Sequence, residues 1–295
     1  IDTHHHFFPE PYARNWVEWQ KRNNVPVSLQ PGWSPARALE LMDQAGVAIS
    51  LLSLASTPGT WFDLPRGEAE KMARLCNDFG AGMVRDHPRR FGLLATLPML
   101  DVDVTLRELE YAFDTLKADG VGLQTSYGTR YPGDPMYRPV FEELNRRKAL
   151  VYFHPLSPVC CVPPGLPSSA GMIETPTDTT RAVMSLLTTG TFSRYRDIRW
   201  LFSHGGGSVP ALAGRIRAFI ERGKEFLKFV PDGVEAELAR LHYDTANATH
   251  PTIIAALLKL APVSQITYGS DYPYFPMREQ IESFGRLELN SAQMH

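Results

Sequence analysis

Short apolar runs of strand-like composition alternate along this chain with longer runs whose apolar residues recur at helical spacing. That alternation favours a parallel sheet with crossover helices over an all-α or all-β domain. Eight strand candidates can be read: Ile1 to His6, Val47 to Leu54, Phe91 to Thr96, Val121 to Gln124, Leu150 to His154, Ile198 to Ser203, Leu241 to Thr245 and Gln265 to Ser270. Each is followed by a helix candidate, and eight right-handed βα units in a chain of 295 residues are what a closed (β/α)8 TIM barrel needs. A doubly wound sheet is the runner-up. With no linker, low-complexity tract or repeat beyond the βα period, residues 1–295 are read as a single barrel domain.

The helix starts carry their own signals. Ser34-Pro35 offers an N-cap hydroxyl with proline at the first helical position, and Thr175-Pro176-Thr177-Asp178 repeats the device with an acid three residues on. Two connections, Phe7 to Trp33 and Pro155 to Glu174, are too long for simple turns and are expected as long loops walling the mouth after strands one and five.

Charge and cysteine content narrow the function classes. Thirty Lys+Arg against 32 Asp+Glu leave a formal charge of -2, without the basic excess of a nucleic-acid or anionic-membrane binder. Three cysteines, two of them adjacent at Cys160 and Cys161, make a poor disulfide set and no metal spacing, so a cytoplasmic location is expected. No apolar run approaches a membrane span, and Ile1-Asp2-Thr3 does not read as a signal peptide.

Nucleotide and serine-hydrolase motifs are missing: no nucleophile elbow, no P-loop, no H-E-x-x-H, and Gly120-Val121-Gly122 lacks the third glycine of a dinucleotide fingerprint. What the sequence does place at strand ends is His4-His5-His6, His154, His204 and, just past strand eight, Asp271. In a barrel these ends share one face, so residues from opposite ends of the chain converge there. Side chains two apart on a strand point the same way, which lets His4 and His6 grip one ion while His5 points elsewhere. Imidazoles with a carboxylate suit zinc, and also manganese, cobalt or iron. The glycines of Ser203-His204-Gly205-Gly206-Gly207 read either as a backbone turn or as an anion cradle, with His204 as an acid/base group beside the metal. Trp61, Phe7, Tyr274 and Phe275 fall in mouth segments and are expected either to sandwich an aromatic ring or to form lid core.

Ile1-Asp2-Thr3-His4-His5-His6, Phe153-His154-Pro155, Ser203-His204-Gly205-Gly206-Gly207 and Gly269-Ser270-Asp271-Tyr272-Pro273 together resemble, in order and over nearly the whole chain, the motifs of the amidohydrolase-related metal-dependent decarboxylases. That family includes aminocarboxymuconate semialdehyde decarboxylase. The stretch Pro176 to Arg181, and the loop ahead of it, look most like the branch acting on 6-methylsalicylate. The resemblance implies His4, His6, His154 and Asp271 as metal ligands and His204 as the catalytic histidine. It also implies one divalent ion per chain, with zinc first and manganese second. Hydrolytic relatives often carry a lysine on strand four, where this chain has Val121-Gly122-Leu123-Gln124. Arg215 resembles an arginine supplied across a dimer interface in that family, which implies a homodimer; the alternative is a solvated helix residue.

The activity so implied is loss of CO2 from a small o-hydroxybenzoate, with Asp271 and His204 delivering a proton to the ring carbon before CO2 leaves. The foremost substrate is 6-methylsalicylate, giving 3-methylphenol. Two alternatives stay open: a metal-dependent hydrolase of a lactone or amide using the same site, and a barrel that has lost catalysis and binds a ligand or partner.

Overall fold

The computed structural model describes residues 1–22, 33–55, 64–156, 170–287 and 289. Each strand forms where sequence alternation lets one set of side chains face the barrel axis and the other face the helices. On β4 (Gly120–Gln124), Val121 and Leu123 join the large outer apolar cluster, which leaves Gly122 and Gln124 facing inward. On β5 (Leu150–His154), Val151 and Phe153 do the same, while Tyr152 packs inside against Leu94 and Leu201 and His154 follows it on the axis side. Burying one such large side chain fully contributes about 1.5–3 kcal/mol.

The remaining strands are β1 (Asp2–Phe7), β2 (Ser50–Leu54), β3 (Phe91–Thr96), β6 (Arg199–Phe202), β7 (His242–Asp244) and β8 (Ile266–Thr267), and all eight pair in parallel in chain order. The ring is drawn shut between β1 and the segment after β8. Thr3 N–H donates to the Tyr268 carbonyl at 2.9 Å, Asp271 N–H to the His4 carbonyl at 2.9 Å, and His6 N–H to the Tyr272 carbonyl at 2.8 Å. This is the expected (β/α)8 barrel.

The principal helices in chain order are α1 (Glu10–Arg22), α2 (Pro35–Ala45), α3 (Arg66–Asp86), α4 (Val102–Glu110), α5 (Arg138–Arg146), α6 (Thr175–Thr188), α7 (Val209–Gly223), α8 (Pro251–Leu260) and α9 (Met277–Phe284). None among the described residues is long and apolar enough to cross a membrane.

The Ser34 cap is present: its hydroxyl accepts the Arg37 N–H at 3.1 Å, and Gly46 ends α2 in the left-handed region. Thr175 is not a cap. Residues 170–174 already form a helical turn, so the Thr175 hydroxyl donates to the Gly171 carbonyl at 3.0 Å and the chain runs straight into α6. Asp178 is drawn inward instead, where its carboxylate accepts from Thr125, Ser126 and Tyr131. The long connection after β1 is structured in its described part. It forms α1, whose Tyr12 and Trp16 bury with Phe8 and Cys76.

Candidate metal centre

β1 projects His4 and His6 inward and turns His5 out. His5 is buried against Tyr272, with its Nδ1 3.3 Å from an oxygen of Asp2. The structure brings His4, His6, His154 and Asp271 together, one ligand atom from each lying within 4.8 Å of the others. His4 Nε2 is 3.1 Å from His6 Nε2, and the two stand 3.3 and 3.2 Å from Asp271 Oδ1.

What surrounds these rings decides which nitrogen each one presents. The Nδ1 atoms face acceptors: Asp244 Oδ2 at 2.9 Å for His4, the Ser53 carbonyl at 3.3 Å for His6, and the Pro155 carbonyl at 3.2 Å for His154. Each ring therefore carries a proton on Nδ1 and turns its Nε2 toward the others. His154 Nε2 is buried with no hydrogen-bond partner among the described residues. The ligand atoms of His4, His6 and Asp271 lie 3.1–3.3 Å apart, close to the roughly 3.3 Å edges of a tetrahedron with ~2.0–2.1 Å ligand bonds. The donor set fits a divalent ion.

The metal-free site holds a proton on His4 that a cation would have to displace. Burial pushes the His4 imidazolium down, but the carboxylates of Asp244 and Asp271 outweigh it and lift the ring to about 10. Burial holds His6 and His154 low, so both are neutral donors. Burial likewise opposes the charge on Asp271, yet the adjoining imidazoles of His4 and His6 prevail and keep it ionised well below the usual carboxylate range.

His204 sits beside this group, its ring centroid 4.9 Å from that of His4. Its backbone lies at φ +53 and the three glycines that follow are all at positive φ, so the glycine run is a turn into α7. A Cβ on Gly207 would fall 2.1 Å from the Pro176 carbonyl oxygen. His204 Nδ1 donates to the Ala246 carbonyl at 2.9 Å, which leaves Nε2 outside that bond.

Other expected residues fall differently. Phe7, expected at the mouth, is buried on the outer face of β1, stacked on Phe79. Strand alternation puts it on the side of His5, and it cannot reach a ligand near His6. Tyr274 does stand beside the site, with its ring 5.7 Å from His6. Phe275 is largely exposed. Arg215 is exposed on α7 with its guanidinium 4.7 Å above the Phe219 ring. Trp61 lies outside the described residues.

Several residues that build the site carry no motif. Asp244 is fully buried at the end of β7, where Oδ2 holds His4 and Oδ1 accepts the N–H groups of His204 and Ala246, both at 3.0 Å. Asn247 donates to Asp271 Oδ2 at 2.8 Å and is itself held by Gln280. Asp2 receives the N–H groups of His4 and Ser270 and the Ser270 hydroxyl. An acid at the end of an inward-facing strand was the available signal for Asp244; Asp2 lies within the Ile1-Asp2-Thr3-His4-His5-His6 motif, and Asn247 had no signal.

A family model described as Amidohydrolase matches residues 1–293. Decarboxylase macB of Penicillium terrestre is 32% identical over 311 residues, covering 99% of this chain and 89% of its own. 6-Methylsalicylic acid decarboxylase of Penicillium expansum is 32% identical over 282 residues, covering 94% and 85%. Among solved structures, the manganese-bound 5-carboxyvanillate decarboxylase of Novosphingobium aromaticivorans shares the fold with a TM-score of 0.87, at 18% identity over 99% of this chain and 92% of that one.

Proposed function

The chain belongs to the amidohydrolase family, and on that premise we propose that it is a metal-dependent, non-oxidative decarboxylase of a small o-hydroxybenzoate. The foremost substrate is 6-methylsalicylate, converted to 3-methylphenol and CO2. The observation that carries this reading is the convergence of three Nε2 donors and one carboxylate at the C-terminal barrel face, in a chain about one-third identical to decarboxylases.

His4, His6, His154 and Asp271 would hold one divalent ion. Zinc is favoured by the donor set, and manganese is the alternative because a relative of the same fold binds it. When bound, the ion supplies positive charge that grips the substrate carboxylate and its ortho oxygen. The chain's own groups then manage the proton. Direct loss of CO2 would leave an aryl carbanion; protonating the carboxylate-bearing ring carbon first removes that cost. Asp271, ionised in the free site, would take up a proton as the anionic substrate binds and excludes water, and would pass it to the ring carbon with His204 Nε2 assisting. Asp244 fixes the orientation of His4 and, through the His204 N–H, that of the turn carrying His204. Tyr274 supplies an aromatic wall beside His6. Trp61 is assigned the same role, on sequence alone.

The chain is proposed to act as a cytoplasmic homodimer, supported by the free buried thiol of Cys76 and by Leu212, Arg215 and Phe219 exposed together on α7. Sedimentation of wild-type and Arg215→Ala protein tests the assembly.

Elemental analysis combined with CO2 release from a panel of hydroxybenzoates tests the activity. One metal per chain and CO2 from 6-methylsalicylate are expected. Turnover of lactones or amides to the acid, with no CO2 from any aromatic acid, would replace this reading with the hydrolase one.

A further inference from the structure

The two oxygens of Asp271 have different partners. Oδ1 faces the imidazoles, 3.3 Å from His4 Nε2 and 3.2 Å from His6 Nε2. Oδ2 instead accepts the Asn247 side-chain amide at 2.8 Å.

The polarity of that second contact is set from behind. The Asn247 backbone N–H can only donate, and it meets Gln280 Oε1 at 3.2 Å. Gln280 therefore presents its amide N–H to Asn247 Oδ1, at 3.3 Å. The Asn247 NH2 group is then the end left for the carboxylate. Gln280 stands on α9 and Asn247 follows β7, so the brace ties the turn after one strand to the helix after the next.

The backbone is shaped for the same contact. Asn247 lies at φ +53 and Asp271 at φ +59, a left-handed region that asparagine and aspartate tolerate better than other residues with a side chain. The turn carrying Asn247 is pinned independently: Ala246 N–H donates to Asp244 Oδ1 and Ala248 N–H to the Thr245 carbonyl, each at 3.0 Å. Asn247 itself is exposed whereas Asp271 is buried, so its amide serves the carboxylate and not the core.

A carboxylate can give a cation one oxygen or both. To give both, Asp271 would have to turn about its Cβ–Cγ bond and draw Oδ2 off the amide, against a hydrogen bond strengthened by the charge it holds. We infer that Asn247, braced by Gln280, is a positioning residue that keeps Asp271 a one-oxygen ligand and so reserves a coordination position for an incoming carboxylate. The inference rests on the metal centre proposed above. It gives a sign that a structural role would not: without the amide, the ion is held at least as well, and the anion worse.

The test compares wild type and Asn247→Gly as manganese-loaded full chains. Glycine accepts the left-handed backbone and removes only the side chain. Manganese affinity is read by chelator competition, access of water to the ion by proton relaxation per bound manganese, and anion binding by the dissociation constant of salicylate. With Oδ2 released, relaxation per bound ion is expected to fall by roughly half or more and salicylate to bind at least about threefold more weakly, while manganese affinity holds or rises. Either change missing, or a parallel loss of manganese affinity, overturns the inference. Should Asn247→Gly fail to fold, Asn247→Ala removes the same amide and is read by the same criteria. A wild-type chain that binds no manganese removes the metal centre and the inference together. A wild-type chain that binds one ion, with relaxation and salicylate binding unchanged in the variant, removes the inference alone.

Discussion

The two sides of the barrel mouth are built differently. On the β1–β7–β8 side the buried carboxylates are saturated: Asp244 accepts from His4, His204 and Ala246, and Asp2 from His4 and Ser270. On the β4–β5 side, Gln124 Oε1 and His154 Nε2 are buried without partners among the described residues. The saturated side is a scaffold that fixes ring orientation in advance, and the unsaturated side keeps Gln124 Oε1 and His154 Nε2 unpaired. An unpaired buried group is thus informative because the protein pairs comparable groups a few ångströms away.

That contrast can be broken at several points. The largest effect is expected from Asp271→Asn, which keeps an oxygen near the imidazoles but removes the acid: CO2 release should fall by roughly 10²–10⁴, with metal weakened or partly retained. An Asp271→Asn protein with full metal and near wild-type turnover would end the mechanism. His204→Asn should also slow turnover but leave metal content largely intact, as measured by elemental analysis of the same samples.

Asp244→Asn attacks the scaffold. Without a carboxylate on its Nδ1, His4 loses the partner that fixes its proton and ring plane, and metal affinity should drop roughly 10–100-fold, read by competition with a chromogenic chelator. Unchanged affinity would mean that Asp244 is not holding His4 for a ligand.

A milder test uses pH. In the metal-free protein His4 is lifted to about 10 because, against the opposing effect of burial, Asp244 and Asp271 favour its charged form. Its proton must leave before a cation can take Nε2. Below that value, therefore, affinity should rise by about tenfold per pH unit, with one proton released per ion bound, measurable in weakly buffered solution. No proton release near neutral pH would contradict the charged His4.

The smallest effect is expected outside the centre. Thr125→Val removes one of the hydroxyls that satisfy the fully buried Asp178. It should cost about 1 kcal/mol of stability in denaturant titration without changing metal content. A loss of metal would join that cluster to the site.

Much of this was legible in the sequence, for identifiable reasons. A ligand at a strand end needs only the strand period and the barrel's polarity, so His4, His6 and His154 could be placed without knowing their neighbours. The same period, applied one residue further, already assigns Phe7 to the outer face with His5. Thr175 looked like a cap because Thr-Pro-x-Asp is a local signal, and what overrode it was the helical turn preceding it and three hydroxyls from the segment after β4 that donate to Asp178. Asp244 and Asn247 were hidden because their partners are tertiary: nothing near Asp244 in the sequence announces the imidazole of His4.

The seam between β1 and the segment after β8 also bears on how the site comes into being. His6 and Asp271 are 265 positions apart, and the backbone bonds that register them join the first strand to the last. Contacts of such separation are paid for late in folding, after loop-closure entropy has been overcome. On a growing chain the first two imidazoles emerge early, with neither Asp271 nor the seam to hold them, and the four-donor cage completes only when nearly all of the barrel has been made. Metal uptake is then the last event of maturation, and bound ion would report that the ring has closed.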